Sequence, residues 1–270
     1  MDLNNINSNE IINRRIKKCG YCGKELKPKG LDYLYANISD EFIEYERCSC
    51  EESKEYWAKK DYEDLIRKRK KNNIDLMNKI FNEKVLKKKL EKYNLNNFIV
   101  NKFNKNEVEI VKDYTQKCLD KKQDKGLIII GKSGVGKTYL ACAIANQLMQ
   151  NGQVVLVGRL ANLLDKIKDS FSENTITEKE LIELYSGVDM IVIDDLGIEK
   201  ITKWALDKFY IIIENRNENG LPIVIKTKLS KDKLMQRFSE VNDEILVESV
   251  ISKLYEMCYG ITLKNEKKSA

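Results

Sequence analysis

The sequence predicts an α/β protein: a parallel, doubly wound sheet with flanking helices, preceded by a small cysteine-rich segment and a basic helical stretch. Three observations carry that reading. From about residue 96 onward, short apolar runs alternate with amphipathic stretches. A glycine-rich loop joins the first run to the first amphipathic stretch. Four of the seven cysteines fall within the first 58 residues.

The apolar runs are Leu127–Ile130, Val154–Val157, Met190–Ile193, Ile223–Ile225 and Ile261–Leu263. Each is short, rich in Val and Ile and bounded by polar residues, as strands buried on both faces are. Between them lie helical candidates at Tyr139–Gln150, Ala161–Ser170, Glu178–Ser186, Lys203–Glu218 and Glu244–Met257. Five strands joined by helical crossovers give a parallel sheet. Residues 59–95 contain neither Gly nor Pro and place Leu65, Ile66, Leu76, Met77, Ile80, Phe81, Val85, Leu86 and Leu90 at helical spacing, which predicts one or two helices. The expected organisation is therefore a cysteine-rich domain over 1–58, a basic helical linker over 59–95 and an α/β domain over 96–270.

Composition excludes more than it identifies. The 270 residues include no histidine. Ser-His-Asp and Cys-His nucleophilic machinery are ruled out, as are an imidazole base and an imidazole metal ligand. The net charge of +6 is a mild lean toward an anionic partner, set against 33% charged residues. No apolar run approaches the roughly 20 residues a membrane span needs. Met1–Glu10 is polar and Asn-rich, unlike a signal peptide. These features predict a cytoplasmic protein with reduced thiols and no membrane partner.

Gly131-Lys132-Ser133-Gly134-Val135-Gly136-Lys137-Thr138 fits G-x-x-x-x-G-K-[ST], directly after the run Leu127–Ile130 and opening the helix toward Gln150. The glycines let the backbone wrap a phosphate and aim successive N–H groups at its oxygens. Lys137 is placed to neutralise the β- and γ-phosphates and Thr138 to hold Mg²⁺. Tyr139, the next residue of the helix, closes the expected nucleotide-binding set. The third run, Met190-Ile191-Val192-Ile193, ends in Asp194-Asp195. Ionised carboxylates at the edge of a buried strand need a counter-charge. Asp194 is read as completing the Mg²⁺ shell and Asp195 as polarising the attacking water; the alternative for Asp195 is a helix N-cap. Thr227-Lys228-Leu229-Ser230 begins like a guanine-reading element but has Ser where its Asp belongs, which favours ATP.

Four stretches together resemble the bacterial helicase-loader ATPases of the DnaC/DnaI type, with the transposition helper IstB as close kin, within the AAA+ class. They are Gly126–Leu148, Val188–Gly197, Asn219–Ile223 and Lys253–Cys258, and the resemblance covers about residues 96–265. A cysteine-rich segment ahead of the ATPase is similar to the DnaI-type loaders in particular. The resemblance implies ATP-dependent delivery of the replicative ring helicase onto single-stranded DNA, with the loader forming a homo-oligomer in its ATP state. An IstB-like transposition helper and a nucleotide-gated adaptor with little hydrolysis are the alternatives.

Three departures stand out. Where the family reads Thr-Ser-Asn, this chain has Lys226-Thr227-Lys228, which puts Lys228 at the position that senses the γ-phosphate. Where the family has an arginine finger, Ser252-Lys253-Leu254 supplies Lys253, without the planar fork of arginine. Arg216 and Arg237 are candidate substitutes or, alternatively, solvated helix residues. The third departure is that no helical lid is expected after the last strand. Competent nucleotide binding with slow hydrolysis is the expectation.

Cys19-Gly20-Tyr21-Cys22-Gly23 has the form of a zinc knuckle, and Cys48-Ser49-Cys50 supplies a second thiol pair. Four thiolates specify a closed structural Zn²⁺ site, with an iron–sulfur cluster as the alternative. Cys118, Cys142 and Cys258 stand alone, and Cys142 and Cys258 read as small buried residues of helices. Thirteen Lys and Arg residues outnumber six Asp and Glu within the 59–95 stretch. That stretch is either a DNA or helicase contact, with Tyr56, Trp57, Tyr62 and Tyr93 available for base stacking, or a solvated linker.

Overall fold

The structure, a computed structural model, describes residues 16–29, 43–81, 83–171 and 176–264. Met1–Glu10, and the side chains of Lys84, Val85 and Lys87, lie outside the described residues. The chain divides into two compact units, 1–68 and 69–270. The expected boundaries at 58 and 95 differ from this division.

In the first unit, β1 (Lys17–Lys18) and β2 (Glu25–Leu26) form a short antiparallel pair. Their connecting turn is closed by Cys19 N–H donating to the Lys24 carbonyl at 2.8 Å, with Gly23 at φ 73°. A bridge between Pro28 and Tyr45 brings the segment carrying Cys48 and Cys50 into the unit. Helix α1 (Glu51–Phe81) follows. Among the described residues up to 68, only Cys19, Ile43, Cys48 and Ser53 are buried.

The second unit begins within α1 and continues with α2 (Glu83–Leu90) and α3 (Lys105–Leu119). It then alternates β3 (Gly126–Ile130), α4 (Lys137–Gln150), β4 (Val155–Arg159), α5 (Leu160–Asp169), α6 (Glu178–Gly187), β5 (Met190–Leu196) and α7 (Lys203–Glu218). The remaining elements are β6 (Ile223–Thr227), α8 (Lys231–Phe238), α9 (Glu244–Met257) and β7 (Cys258–Thr262). The five strands β3–β7 form one parallel sheet in the order β4-β5-β6-β3-β7. Strand β6, late in sequence, is thereby inserted between β3, which feeds the glycine loop, and β5, which carries the aspartates.

The period of two along each strand explains why the sequence shows continuous apolar runs. Leu127 and Ile129 enter one core with Val192 and Val224, while Ile128 enters the other with Ile191, Ile193 and Ile225. Both faces are covered by helices, so both sets of side chains are apolar. The far end of the basic stretch joins these cores: Met77 and Leu90 are buried, with Leu76, Ile80, Phe81 and Leu86 packed alongside.

The structure adds and corrects elements. Helices α3 and α8 were not expected. The last strand runs Cys258–Thr262 rather than Ile261–Leu263. It lies at the sheet edge, where Tyr259 and Gly260 are exposed, so its apolar pattern is interrupted. Cys258 consequently belongs to a strand and not to the preceding helix. Its burial expectation holds, since it is 7% exposed and burial pushes its thiol up to about 12. Among the described residues no element follows β7.

Candidate functional site

The glycine loop leaves the end of β3 and enters α4 at Lys137. Gly136, the residue ahead of the helix, has φ 97°, and a Cβ there would lie 2.6 Å from the Phe98 ring. Backbone conformation and space therefore both require glycine at this point. Gly134 is also left-handed, at φ 79°. Lys132, Ser133, Gly134 and Thr138 are exposed; Gly131, Val135, Gly136 and Tyr139 are half-buried. Tyr139 is engaged away from the loop, donating to the Asn94 carbonyl at 3.2 Å and packing edge-on against Tyr93.

Lys137 is buried and curls back onto its own loop. Its ammonium donates to the carbonyls of Gly131 at 2.7 Å and Lys132 at 2.6 Å. Burial, and after it the neighbouring Lys226 charge, holds this lysine below its ordinary value. Among the described residues its hydrogen bonds go to two neutral carbonyls, which a charged phosphate could replace.

The two aspartates reach the same place through a defect in the ladder. Ile193 pairs with Ile225 and Leu196 with Thr227, so Asp194 and Asp195 together oppose the single residue Lys226. Such a two-against-one bulge turns side chains that would alternate across the sheet toward one partner. Asp195 takes the left-handed conformation, φ 60°, rare for a non-glycine residue. The Lys226 ammonium lies 2.7 Å from Asp194 Oδ1 and 2.6 Å from Asp195 Oδ1, and it donates to Thr138 Oγ1 at 3.0 Å. The contacts to the aspartates are ion pairs: both Oδ1 atoms are buried and neither is in an aligned hydrogen bond. The N-cap alternative for Asp195 fails, because Asp195 is a strand residue and Thr202 caps the next helix.

Lys226 is the functional residue that sequence reasoning missed. It is 4% exposed, whereas Lys228, two residues on, is exposed beyond the strand end. Lys228 still acts electrostatically on Lys137. Thr227 and Ser230 have structural duties: Thr227 donates to the Leu196 carbonyl, and Ser230 caps α8. Lys253 lies on α9 beside Glu214 at 3.7 Å and Glu256 at 3.9 Å, and the structure does not bring it to the aspartates.

Neither expectation for Arg216 survives. It is fully buried, neither a finger nor a solvated residue, and donates to the carbonyls of Tyr185, Val188 and Pro222 at 2.9, 3.0 and 2.6 Å. Those carbonyls surround the end of α6 and the entry to β6, where the last turn of a helix leaves acceptors without partners. Burial pulls its guanidinium down to about 9. Arg237 is partly exposed and paired with Glu240.

In the first unit the four sulfur atoms of Cys19, Cys22, Cys48 and Cys50 lie within 4.8 Å of one another. Cys19 is 3.9 Å from Cys50 and Cys22 is 3.4 Å from Cys48. A tetrahedral zinc with Zn–S near 2.3 Å has sulfur–sulfur edges of about 3.8 Å, so the donor set fits. The N–H groups of Cys22 and Tyr21 draw the Cys19 thiol down to about 7, whereas burial pushes Cys50 up to about 12. All four are free of disulfides. Trp57 lies beneath Arg47 at 4.4 Å and Lys60 at 5.0 Å, while Tyr56 and Tyr62 are exposed. Residues 58–69 are exposed throughout, and Lys70 pairs with Asp189 at 3.5 Å. Tyr93 packs against Tyr139 in the second unit.

No helix among the described residues is long and apolar enough to cross a membrane. Residues 52–269 match the family described as IstB-like ATP binding protein; the four clustered cysteines precede the match. The chain is similar to the replicative helicase loader DnaI of Bacillus subtilis (strain 168), at 24% identity over 58% of this chain and 52% of the relative. It is similar to the replicative helicase loader DnaC of Escherichia coli (strain K12), at 30% identity over 42% of this chain and 46% of the relative. The matched stretch thus spans about half the length of each relative. The crystal structure of DnaI superimposes with a TM-score of 0.57 at 22% identity, covering 66% of this chain and 94% of that one, a likeness of fold.

Proposed function

Since the chain belongs to the family of IstB-like ATP-binding proteins, we propose that it binds and slowly hydrolyses ATP in the cytoplasm to load a replicative ring helicase onto single-stranded DNA. The observation that carries the nucleotide reading is convergence. The sheet order sets the glycine loop of β3 and the bulged aspartates of β5 on either side of β6, and one ammonium touches Thr138, Asp194 and Asp195. The similarity to two helicase loaders supports the choice of substrate machine.

In this reading the loop N–H groups of residues 131–138 hold the phosphates, and Lys137 leaves its two carbonyls for the β- and γ-oxygens. Asp195 accepts a proton from the attacking water, the carboxylate at the strand end taking the part of general base. Thr138 and Asp194 are the oxygen donors for Mg²⁺, and the buried Oδ1 of Asp194, outside any aligned hydrogen bond, fits such a ligand. Bound there, the ion would neutralise charge developing on the phosphates. Lys228 serves as a mobile γ-phosphate contact, and Lys253 acts toward a neighbouring subunit of an ATP-state homo-oligomer. The four cysteines hold structural Zn²⁺ in a domain that grips the helicase, and the exposed basic face of α1 contacts DNA.

Binding of a fluorescent ATP analogue, turnover with and without single-stranded DNA, and co-purification of a ring helicase test these assignments. Lys137→Ala should weaken nucleotide binding about a hundredfold, and Asp195→Asn should retain binding while stopping turnover. Wild-type turnover by Asp195→Asn would remove its catalytic role, and failure to capture any ring helicase would remove the loader reading. Co-purification with a transposase instead would favour the transposition helper. Tight ATP binding with no turnover under any condition would favour the nucleotide-gated adaptor, for which Lys228 and Lys253 are the motivating residues.

A further inference from the structure

A buried lysine is costly unless paired. Lys226 is paired twice over and also touches the hydroxyl that the loop presents to a metal. Its ammonium lies 3.0 Å from Thr138 Oγ1, 2.7 Å from Asp194 Oδ1 and 2.6 Å from Asp195 Oδ1. Thr138 Oγ1 and Asp194 Oδ1 are the oxygens a divalent cation would need at about 2.1 Å, and Asp195 lies beside them. The ammonium and the ion therefore contend for one position. Two cations cannot share it, because both would have to occupy the same few ångströms between the same oxygens. The bulge in β5 fixes the arrangement: both carboxylates face one residue of β6, and that residue is Lys226.

We infer that Lys226 is a resident counter-ion that competes with the divalent cation for the Thr138–Asp194 position, and so raises the Mg²⁺ concentration that nucleotide binding requires. This rests on the nucleotide-binding reading above. In the nucleotide-free protein the ammonium neutralises both acids. Metal entry obliges it to leave, and its flexible four-carbon stem lets it do so once a phosphate offers a new partner. The position is then vacated in step with nucleotide arrival. Free metal does not fill it ahead of nucleotide.

The test compares the full-length protein with Lys226→Thr and Lys226→Gln, each first checked for folding by circular dichroism. Affinity for a fluorescent ATP analogue is titrated against free Mg²⁺, starting from an EDTA-treated sample. Binding of Mn²⁺ to the nucleotide-free proteins is followed by electron paramagnetic resonance. The Mg²⁺ midpoint should fall about tenfold or more in both variants, and both should bind Mn²⁺ under conditions where the wild type does not. Should Lys226→Thr not fold, Lys226→Gln carries the comparison, since it retains a polar group for Thr138. Equal Mg²⁺ midpoints and equal Mn²⁺ binding in wild type and folded variant would overturn the inference. A wild type that binds no nucleotide at any Mg²⁺ concentration would instead overturn the nucleotide reading, and the Mn²⁺ comparison would still decide the role of Lys226.

Discussion

The two units gather their functional side chains by opposite means. In the first, Cys19, Cys22, Cys48 and Cys50 are drawn together by a two-residue strand pair, one bridge and a helix start, and two of the four buried residues described there are the cysteines themselves. In the second, Lys137, Asp194, Asp195 and Lys226 are positioned by a five-stranded sheet with an apolar core on each face. Among its described residues the first arrangement has almost no hydrophobic burial to hold it in place, so under the zinc reading its order comes from the metal. The second is held before any ligand arrives. A site built on a core can tolerate strain and buried charge, as at Asp195 and Lys226; a site that replaces a core cannot.

The largest expected effect follows from that difference. Removing the proposed zinc with a chelator, or by Cys22→Ser, should abolish amide-exchange protection over residues 16–29 and 43–50, because metal-binding free energy is folding free energy in so small a unit. ATP affinity should change less than about twofold, since the nucleotide site draws on a separate core. Zinc content and hydrogen exchange measured on one sample would show the first, and nucleotide titration the second. Loss of ATP affinity in step with loss of zinc would break the division between a ligand-held and a core-held unit.

A smaller effect probes the second unit from within. Arg216→Met preserves volume but leaves the carbonyls of Tyr185, Val188 and Pro222 without their donor. Because the group is fully buried, the cost should be roughly 2–4 kcal/mol of unfolding free energy, read by denaturant titration. Zinc content should stay at the wild-type level. Stability within experimental error of wild type would mean that water or another donor replaces the guanidinium, and that the core is less dependent on this charge than its burial implies.

Which parts of this were legible depended on how locally each was encoded. The glycine loop is contiguous, and its glycines, lysine and hydroxyl each answer a requirement visible within eight residues. The four-cysteine set was legible for a related reason, since each pair sits within one turn. Helix α3 had a readable stripe in Val108, Val111, Tyr114 and Cys118, obscured by the density of charge between them. Lys226 was hidden by topology. Its meaning depends on β6 lying between β3 and β5, which no local pattern reveals. The argument that Asp194 and Asp195 need a counter-charge applied equally to a lysine ending the apolar run Ile223–Ile225, yet without the strand order nothing joined the two. Arg216 was illegible for a similar reason: although Pro222 follows its own helix closely, its other acceptors, Tyr185 and Val188, lie 31 and 28 residues away at the end of α6.

The smallest expected effect tests whether the first unit is held by the proposed metal or by its surface. Arg47 faces Asp61 through both terminal guanidinium nitrogens, at 2.5 and 2.8 Å, and lies over the Trp57 ring. The pair is well formed, and each partner shifts the other toward its charged form: Asp61 is held below the ordinary carboxylate range and Arg47 above its own. Yet the two side chains are 46% and 53% exposed, so water competes for the same charges and salt screens them. Exposed pairs of this kind contribute little, and Asp61→Ala should shift zinc affinity by less than about threefold in a competition titration. Raising the salt concentration should shrink even that difference. If Asp61→Ala instead released the metal, the surface pair and not the thiolate cluster would be organising residues 16–68, and the contrast between the two units would have to be redrawn around charge.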